Sequence, residues 1–190
     1  MIPISVCIIT KNEAEHLDKC LQSLSPYPFE IVVVDTGSTD NSKEVARKYT
    51  DRVYDFEWVN DFSAARNFSI SRASHNMIFV LDTDEYLVEF DFDQVQQLIA
   101  DHPKSVGLIK RLDYFEVDQE KHCQTTIIDR LFNRKYYHYE RPIHEILVPA
   151  ANLRTTSYSL PIVADHAGYI GSVEKLNEKS MRDINLLLPE

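Results

Sequence analysis

Glycine, cysteine and long apolar segments are all scarce in this sequence. Its 190 residues include four glycines and three cysteines. Cys7, Cys20 and Cys123 form an odd set without CxxC or Cys/His ligand spacing, which predicts reduced thiols in a cytoplasmic protein instead of a disulfide framework. No segment approaches the roughly 20 consecutive apolar residues that span a bilayer, and the start lacks the basic opening and cleavage site of a signal peptide. We therefore expect a cytoplasmic location, where any membrane contact would be peripheral.

Basic residues are also in the minority. The 20 Lys and Arg are outnumbered by 30 Asp and Glu, which gives a formal net charge of −10 and a pI near 5.1. Because surfaces that track nucleic acids match Lys and Arg to phosphates, this balance argues against a nucleic-acid partner. An anionic ligand would need a metal ion or a few local cations. The length and a hydrophobic content of 44% predict a single domain, and they say nothing about the oligomeric state.

Strands and helices alternate along the first 90 residues. This alternation predicts an α/β fold with a mostly parallel sheet flanked by helices, whose ligands bind at the carboxyl ends of the strands. The predicted strands are Ile4–Ile9, Ile31–Val34, a short one within Arg52–Trp58, and Met77–Leu81. The first predicted helix runs along Ala14–Leu24 and follows Asn12, which with Glu15 resembles a capping arrangement. Two further helices are predicted, one through Val45 to Tyr49 and one over Ser63–Ala73.

The pattern changes after Phe90, where strands become more frequent than helices and the sheet is expected to become mixed. A short helix is predicted through Val95, Leu98 and Ile99, and an amphipathic helix from Val173 to Leu187. The predicted strands are Val106–Ile109, Tyr114–Val117, Thr125–Phe132 and Leu160–Val163. No linker or repeat divides the chain, so residues 1–190 are expected to form one domain.

Two aspartates directly follow an apolar strand. Met77–Leu81 leads into Asp82, Thr83 and Asp84, and side-chain alternation would turn both carboxylates the same way. At a separation of roughly 5 Å and an effective dielectric of about 20, the pair would repel by about 3 kcal/mol. A divalent cation shared with the phosphates of a nucleotide would relieve this repulsion. The alternatives are a solvated turn and a haloacid-dehalogenase-type phosphatase with Asp82 as nucleophile, although such enzymes have Thr or Val at the position of Tyr86.

A second acid, Asp35, ends the strand before the segment TGSTDNS. A carboxylate at the end of such a strand can accept a hydrogen bond from a ribose or a base edge. The alternative is an ordinary turn into a helix capped by Asp40 or Asn41. A dinucleotide-binding loop is disfavoured because Gly37 stands alone, without the GxGxxG pattern.

Two later residues complete the set of candidates. His166 follows a predicted strand, where a neutral imidazole can complete an oxygen-rich metal site. Glu145, in the segment RPIHEILV, can accept a proton from an incoming nucleophile. The alternative for Glu145 is a surface acid paired with Arg141 or Arg154.

Several motifs in order give the sequence a resemblance to a known family: SVCIITKNEAEHLDKCLQSL, EIVVVDTGSTDNS, DFSAARNFSI, IFVLDTDEYL, RLFNR with RPIHEIL, and DHAGY. Together they resemble family 2 glycosyltransferases of the GT-A fold. The DFSAARN and IHE elements are most similar to a bacterial branch that often carries helical repeats after the catalytic domain and includes peptide-cysteine glucosyltransferases of glycosylated bacteriocin pathways. The resemblance implies a nucleotide-binding half, residues 1–90, and an acceptor-side half, residues 91–190. Since 190 residues is short for this fold, either the chain is an excerpt or the acceptor-binding portion is absent.

The resemblance also implies roles for individual residues. The residues expected to bind a nucleotide-sugar are Thr10, Asn12, Glu13 and Asp35 at the uridine, Gly37 and Ser38 in the adjoining loop, Arg66 and Asn67 near the diphosphate, and Asp82 and Thr83. The residues expected to contact Mn²⁺ or Mg²⁺ are Asp82, Asp84 and His166. Glu145 falls where such enzymes commonly place the catalytic base.

The activity implied by the resemblance is metal-dependent, inverting transfer of a sugar from a nucleotide donor, UDP in the first instance. The acceptor would be a saccharide, a lipid-linked saccharide or a peptide. A non-catalytic module that only binds nucleotide-sugars is the remaining alternative.

Overall fold

The alternation of strand and helix continues through the first half of the molecule and gives way to long strands in the second. A computed structural model describes residues 1–117 and 120–167. The strands are β1 Ile4–Thr10, β2 Glu30–Asp35, β3 Val53–Asp55, β4 Met77–Val80, β5 Glu85–Phe90, β6 Val106–Val117, β7 Glu120–Asn133, β8 Tyr137–Glu140, β9 Ile146–Pro149 and β10 Ser157–His166. The helices are α1 Ala14–Leu24, α2 Ser42–Ala46, α3 Phe62–Arg72 and α4 Phe92–Asp101.

One large mixed sheet organises the described residues. Its strand order is β3-β2-β1-β4-β7-β6-β10-β5, and β8 pairs with β9 in a separate hairpin. The pairings β1–β2, β1–β4, β2–β3 and β6–β10 are parallel, whereas β4–β7, β6–β7 and β5–β10 are antiparallel. The predicted α/β class with a mostly parallel sheet is confirmed. Because β1 to β4 run in the same direction, Thr10, Asp35 and the Asp82 segment all emerge at one edge, which we call the carboxyl edge.

The core forms where helices cover the sheet. Leu17, Leu21 and Leu24 of α1 are fully buried, as their helical spacing predicts. Val32, Val33 and Val34 of β2 are buried on both faces of the sheet, which explains the uninterrupted β-branched run. Burial of this apolar surface is the main stabilising contribution, and it holds the carboxyl edge in place.

The capping arrangement predicted at the start of α1 is wrong. Asn12 has φ +55°, and its side-chain oxygen accepts hydrogen bonds from the backbone N–H groups of Thr39 (2.7 Å) and Asp40 (3.3 Å). The carboxylate of Asp40 in turn accepts a hydrogen bond from Ala14 N (3.2 Å), the first residue of α1. The helix start is therefore satisfied from another loop, by a contact that no local sequence pattern contains.

Several strand boundaries also differ from the prediction. The separate strands expected at Val106–Ile109 and Tyr114–Val117 form one strand, β6, because Arg111 and Asp113 between them make ion pairs within the sheet. Strand β7 is longer than Thr125–Phe132, and β3 is shorter than Arg52–Trp58. Strands β5, β8 and β9 were not predicted. The helix predicted from Val173 to Leu187 lies outside the described residues. Within the described ranges, no helix has the length and apolarity needed to cross a membrane.

Candidate active site

The carboxyl edge gathers polar groups from three neighbouring parallel strands. Thr10 of β1 lies opposite Asp35 of β2 in the register of the sheet. Asp82 follows β4, the neighbour of β1 on its other side. In parallel sheets such an edge is the usual place for a ligand.

Asp35 organises the loop that follows it. Its Oδ1 accepts hydrogen bonds from the backbone N–H groups of Gly37 (2.9 Å) and Ser38 (2.8 Å), and Gly37 takes the positive φ of +101° that this turn requires. Its Oδ2 is buried and has no hydrogen bond within the described residues, and the same holds for Thr10 Oγ1. Since buried polar atoms are normally paired, these two oxygens indicate a ligand that donates hydrogen bonds.

The predicted residues Asn12, Glu13 and Ser38 join two loops of this edge. Asn12 N donates to Ser38 Oγ (2.9 Å), and Glu13 N donates to Ser42 Oγ (3.1 Å). These contacts hold the loop after β1 against the loop after β2, beside the unpartnered oxygens. Direct contact of these three side chains with a nucleotide stays a prediction.

The two aspartates after β4 have different partners. The backbone leaves strand geometry after Val80, and Glu85 N donates to Asp82 O (3.1 Å) in a turn, so the alternation argument for parallel carboxylates does not apply. Asp82 Oδ1 accepts from Arg66 Nη2 (2.7 Å), and Asp82 Oδ2 from Arg130 Nη2 (2.8 Å). Burial acts to raise the pKa of Asp82, but the two guanidinium groups hold it well below its usual range. Arginines thus supply part of the positive charge that the sequence predicted here.

Asp84 lies beside His166, as the metal-site prediction required. His166 Nε2 is 3.4 Å from Asp84 Oδ2, while its Nδ1 is 2.8 Å from Asp113 Oδ1. A carboxylate only accepts hydrogen bonds, so His166 Nδ1 donates to Asp113. Burial lowers the pKa of His166, but Asp84 and Asp113 raise it above its usual value. Asp113, which was not among the predicted site residues, therefore orients the imidazole. Thr83, between the two aspartates, is buried.

Glu145 is not the surface acid of the alternative interpretation. Its Oε1 accepts from Arg66 Nε at 2.5 Å, and its side chain is only 15% exposed. Its ion-pair partner is Arg66, and not Arg141 or Arg154 as in that alternative. Arg66 links Glu145 to Asp82, and although burial alone lowers the pKa of this guanidinium, the two carboxylates raise it above its usual range. Positive φ values at Arg141 (+79°) and His144 (+50°) show that the loop carrying Glu145 is strained, as functional loops often are.

Asn67 has a structural role that the sequence did not predict. Its amide nitrogen donates to Tyr139 O (2.8 Å), and its amide oxygen accepts from Tyr139 N (3.0 Å). Both ends of the amide thus hold β8 against α3. A position of Asn67 near the diphosphate stays a prediction.

Three further charged residues at the site were missed. Glu85 is fully buried, Arg130 donates to its Oε1 at 2.5 Å, and Arg111 Nη1 approaches the same oxygen at 3.4 Å. The available signal was the presence of charges within otherwise apolar strands, as in RLFNR. Contacts join these residues into one group, the acid–arginine cluster: Asp82, Asp84, Glu85, Asp113, Glu145, Arg66, Arg111, Arg130 and His166.

This geometry agrees with the result of comparison with known families. Residues 5–158, most of the chain, match the family model "Glycosyl transferase family 2". The chain belongs to glycosyltransferase family 2. The predicted resemblance is thereby confirmed, and the phosphatase alternative finds no support.

Individual relatives place the chain within this glycosyltransferase family. It is 31% identical over 178 residues to a TPR repeat-containing protein of Synechococcus elongatus, covering 89% of this chain and 43% of that one. It is 28% identical to the lipopolysaccharide core biosynthesis glycosyltransferase LpsC of Rhizobium meliloti, covering 86% and 66%. Crystal structures of S. aureus TarS 1–349 with UDP and with UDP-GlcNAc are 26% identical, with a TM-score of 0.53, and cover 65% of this chain and 38% or 37% of TarS. The chain spans about half the length of the relatives it matches.

The residues of this family 2 chain fit a divalent cation at Asp84 and His166. Two ligand atoms of one octahedral ion, each at about 2.1 Å, lie roughly 3 Å apart, which is close to the 3.4 Å between His166 Nε2 and Asp84 Oδ2. Within residues 1–117 and 120–167, no group of three His, Cys, Asp or Glu is arranged to hold a metal. Asp82, the third predicted ligand, has both carboxylate oxygens bonded to arginines. The protein ligands of a cation here would therefore be Asp84 and His166, while a metal contact of Asp82 stays a prediction.

Proposed function

We propose that the chain transfers a sugar from a UDP-sugar to an acceptor, with inversion and with the help of a divalent cation. The observation that carries this proposal is the pair of buried, unpartnered oxygens, Asp35 Oδ2 and Thr10 Oγ1, beside the acid–arginine cluster. Membership of family 2 and the likeness to TarS with bound UDP support the same donor.

The nucleoside would lie at the part of the carboxyl edge formed by the loops after β1 and β2. Uridine offers one imide N–H and two ribose hydroxyls as donors, and the ionised Asp35 is an acceptor through both oxygens. Because Oδ1 is already used by the backbone of Gly37 and Ser38, Oδ2 is the atom that would receive the nucleoside.

The diphosphate would lie between Arg66 and the Asp84–His166 pair. Arg66 Nη1 is buried without a hydrogen bond in the described residues, so it offers a donor to a phosphate oxygen. In the acid–arginine cluster, five carboxylates outnumber three guanidiniums by two, which matches one divalent cation. Bound Mn²⁺ or Mg²⁺ would supply positive charge that stabilises the leaving diphosphate.

Glu145 would act as the general base. Arg66 holds its Oε1, and no hydrogen bond from the described residues reaches Oε2. Oε2 would take the proton of the acceptor as the acceptor atom bonds to the anomeric carbon, and the electrons of the breaking C–O bond would leave with UDP. Attack from the face opposite UDP inverts the anomeric centre.

For the acceptor, we propose a chemical class and not an individual compound. LpsC is named for lipopolysaccharide core biosynthesis, which puts a saccharide acceptor first. A lipid-linked saccharide and a peptide follow as further classes.

The proposal is tested by calorimetric titration with UDP, GDP and dTDP, each with Mn²⁺ and with EDTA, and by assay of UDP release from UDP-glucose and UDP-GlcNAc. We expect UDP to bind best and Mn²⁺ to tighten its binding. Asp84→Asn should lower the Mn²⁺-dependent gain by about 10- to 100-fold, because it removes a charged ligand. Asp51→Asn, at an exposed loop position, is the control.

Equal binding of all three nucleotides, or full activity in EDTA, would contradict the donor or the metal assignment respectively. Tight UDP binding without any release of UDP in the presence of saccharide, lipid-linked or peptide acceptors would favour the non-catalytic binding module.

A further inference from the structure

Glu85 is a buried charge that the proposed chemistry does not use. It follows Asp84 directly at the start of β5, and its side chain has no exposed surface. Burying a carboxylate is costly unless it is paired and hydrogen-bonded. A buried glutamate at this position therefore indicates a role other than packing.

All the contacts of Glu85 within the cluster come from donors. Its Oε1 accepts from Arg130 Nη2 at 2.5 Å, and its Oε2 accepts from the backbone N–H of Asp82 at 3.2 Å. The same Nη2 of Arg130 also donates to Asp82 Oδ2 at 2.8 Å. Glu85 thus holds Asp82 twice, once through its backbone and once through the guanidinium that binds its side chain.

Arg130 is fixed by this pair of carboxylates. Burial alone lowers the pKa of its guanidinium, but Glu85 and Asp82 raise it well above the usual value, so Arg130 is charged under all ordinary conditions. Without Glu85, one guanidinium would face Asp82 alone and could follow that side chain toward solvent. With Glu85, the guanidinium is anchored to β5, and Asp82 is anchored to the guanidinium.

We propose that Glu85 is a positioning residue that fixes the orientation of Asp82 at the donor site, both through Arg130 and through the N–H of Asp82. This inference rests on the proposed function. Asp82 would keep one conformation while Asp84 and His166 hold the cation and Arg66 meets the diphosphate. Glutamine cannot replace Glu85, because both carboxylate oxygens accept hydrogen bonds and an amide would turn an N–H toward one of the donors.

A second acid of the same sheet, largely buried and paired with an arginine, provides a matched control. Glu30, at the start of β2, contacts Arg52 Nε at 3.0 Å and accepts from Ser74 N at 2.7 Å and from Ser5 Oγ. Its side chain is 10% exposed, and it lies at the amino ends of the parallel strands, opposite the carboxyl edge. Glu30→Gln therefore breaks a comparable acid–arginine contact without touching the donor site.

The test compares Glu85→Gln, Glu30→Gln and the unchanged chain by thermal unfolding without ligand and by calorimetric titration of UDP in the presence of Mn²⁺. We expect both variants to melt at lower temperature. Only Glu85→Gln should weaken UDP binding, by about 10- to 100-fold, the range found when groups that orient ligands are removed. A purely structural role would lower the melting temperature and leave the dissociation constant of the folded protein unchanged, as for Glu30→Gln.

If Glu85→Gln does not fold, Arg130→Lys is used in its place for the same measurements. Lysine keeps the charge but lacks the guanidinium fork, so it should also weaken UDP binding. If the unchanged chain binds UDP and folded Glu85→Gln or Arg130→Lys binds it equally well, this inference is overturned while the proposed function stands. If the unchanged chain does not bind UDP, the proposed function fails, and this inference fails with it.

Discussion

The two ends of the parallel strands bury acids against arginines in different ways. At the amino ends, Glu30 is held by Arg52, Ser5 and Ser74. Burial acts to raise the pKa of Glu30, but the hydrogen bonds from Ser5 and Ser74, and then Arg52, hold it below its usual value. This group is closed, because both carboxylate oxygens have partners from the chain itself.

At the carboxyl edge, in contrast, several buried polar atoms have no hydrogen-bond partner from the chain, and in this sense the edge is open. Seven buried side-chain polar atoms of the described residues lack a hydrogen bond, and six of them lie in or beside the acid–arginine cluster and the Asp35 loop: Thr10 Oγ1, Asp35 Oδ2, Arg66 Nη1, Arg111 Nε, Arg130 Nε and Tyr139 OH. Arg111 Nε lies 2.8 Å from Asp113 Oδ1, but its geometry is poor for a hydrogen bond. The number of buried charges therefore does not distinguish a binding site from a structural contact, whereas unused hydrogen-bonding capacity does.

Of the substitutions that test this difference between the two ends of the strands, Glu145→Gln has the largest expected effect. The amide keeps the shape of the side chain but does not take a proton, so turnover should fall by about 10²- to 10⁴-fold. Binding of UDP should stay within a few-fold, since Asp35 and Asp84 are unchanged. Steady-state release of UDP and calorimetric titration measure the two quantities.

Glu140→Gln, at the exposed end of β8, is the matched control for this prediction. It should leave both turnover and binding unchanged. A loss of UDP binding by Glu145→Gln, with normal turnover per bound donor, would reassign Glu145 from base to binding residue.

Asp35→Asn is the second test, with an intermediate effect. The amide oxygen can still accept from Gly37 and Ser38, but its nitrogen replaces Oδ2 and would meet the N–H or hydroxyl donor of the nucleoside. Loss of a hydrogen bond to a charged group costs about 1.5–3 kcal/mol, so UDP affinity should fall by about 10- to 100-fold. Titration with UDP measures this loss.

Asp55→Asn is the natural control, because Asp55 ends β3 in the same register as Asp35. Its carboxylate is 72% exposed and pairs with Lys43 at 2.8 Å. It should bind UDP normally. If the two variants weakened UDP equally, the unpartnered oxygen would not be the point of recognition.

Local patterns were sufficient to predict the frame of the site but not its internal contacts. Apolar runs and helical spacing located β1, β2, β4, α1 and α3, and the acids that follow β2 and β4 could be placed at one edge because parallel strands end together. Arg130 and Glu85 were missed because they meet across 45 residues, and a contact of that range leaves no trace in the spacing of either segment. The continuous strand β6 was not predicted for the same reason. Its internal charges have partners on other strands, and such pairing allows a charge to be buried.

Asn12 illustrates the same limit at the smaller scale of one side chain. Its position before a helix and the glutamate three residues later matched a capping pattern. Its left-handed backbone turns the side chain to the loop after β2 instead, where it accepts from Thr39 and Asp40. Asn12 lies in a loop at the carboxyl edge, but its predicted capping role was wrong, because the competing donors come from another strand's loop.

The smallest expected effect on UDP binding comes from a comparison of alanine substitutions at two glycines, Gly37 and Gly107. Gly37 has φ +101° with open space around an added Cβ, so Gly37→Ala is opposed by backbone strain alone, about 1–2 kcal/mol. Gly107 has an ordinary φ, but its added Cβ would press on Leu160 and approach Leu131 Cβ at 3.2 Å, so Gly107→Ala should cost about 1–3 kcal/mol through overpacking. Thermal unfolding should show both losses, whereas only Gly37→Ala should weaken UDP, by a few-fold, since it relaxes the turn that Asp35 Oδ1 holds. Equal UDP binding by the two variants would show that the loop after β2 tolerates rearrangement, and the open carboxyl edge would then depend on Asp35 and the acid–arginine cluster alone.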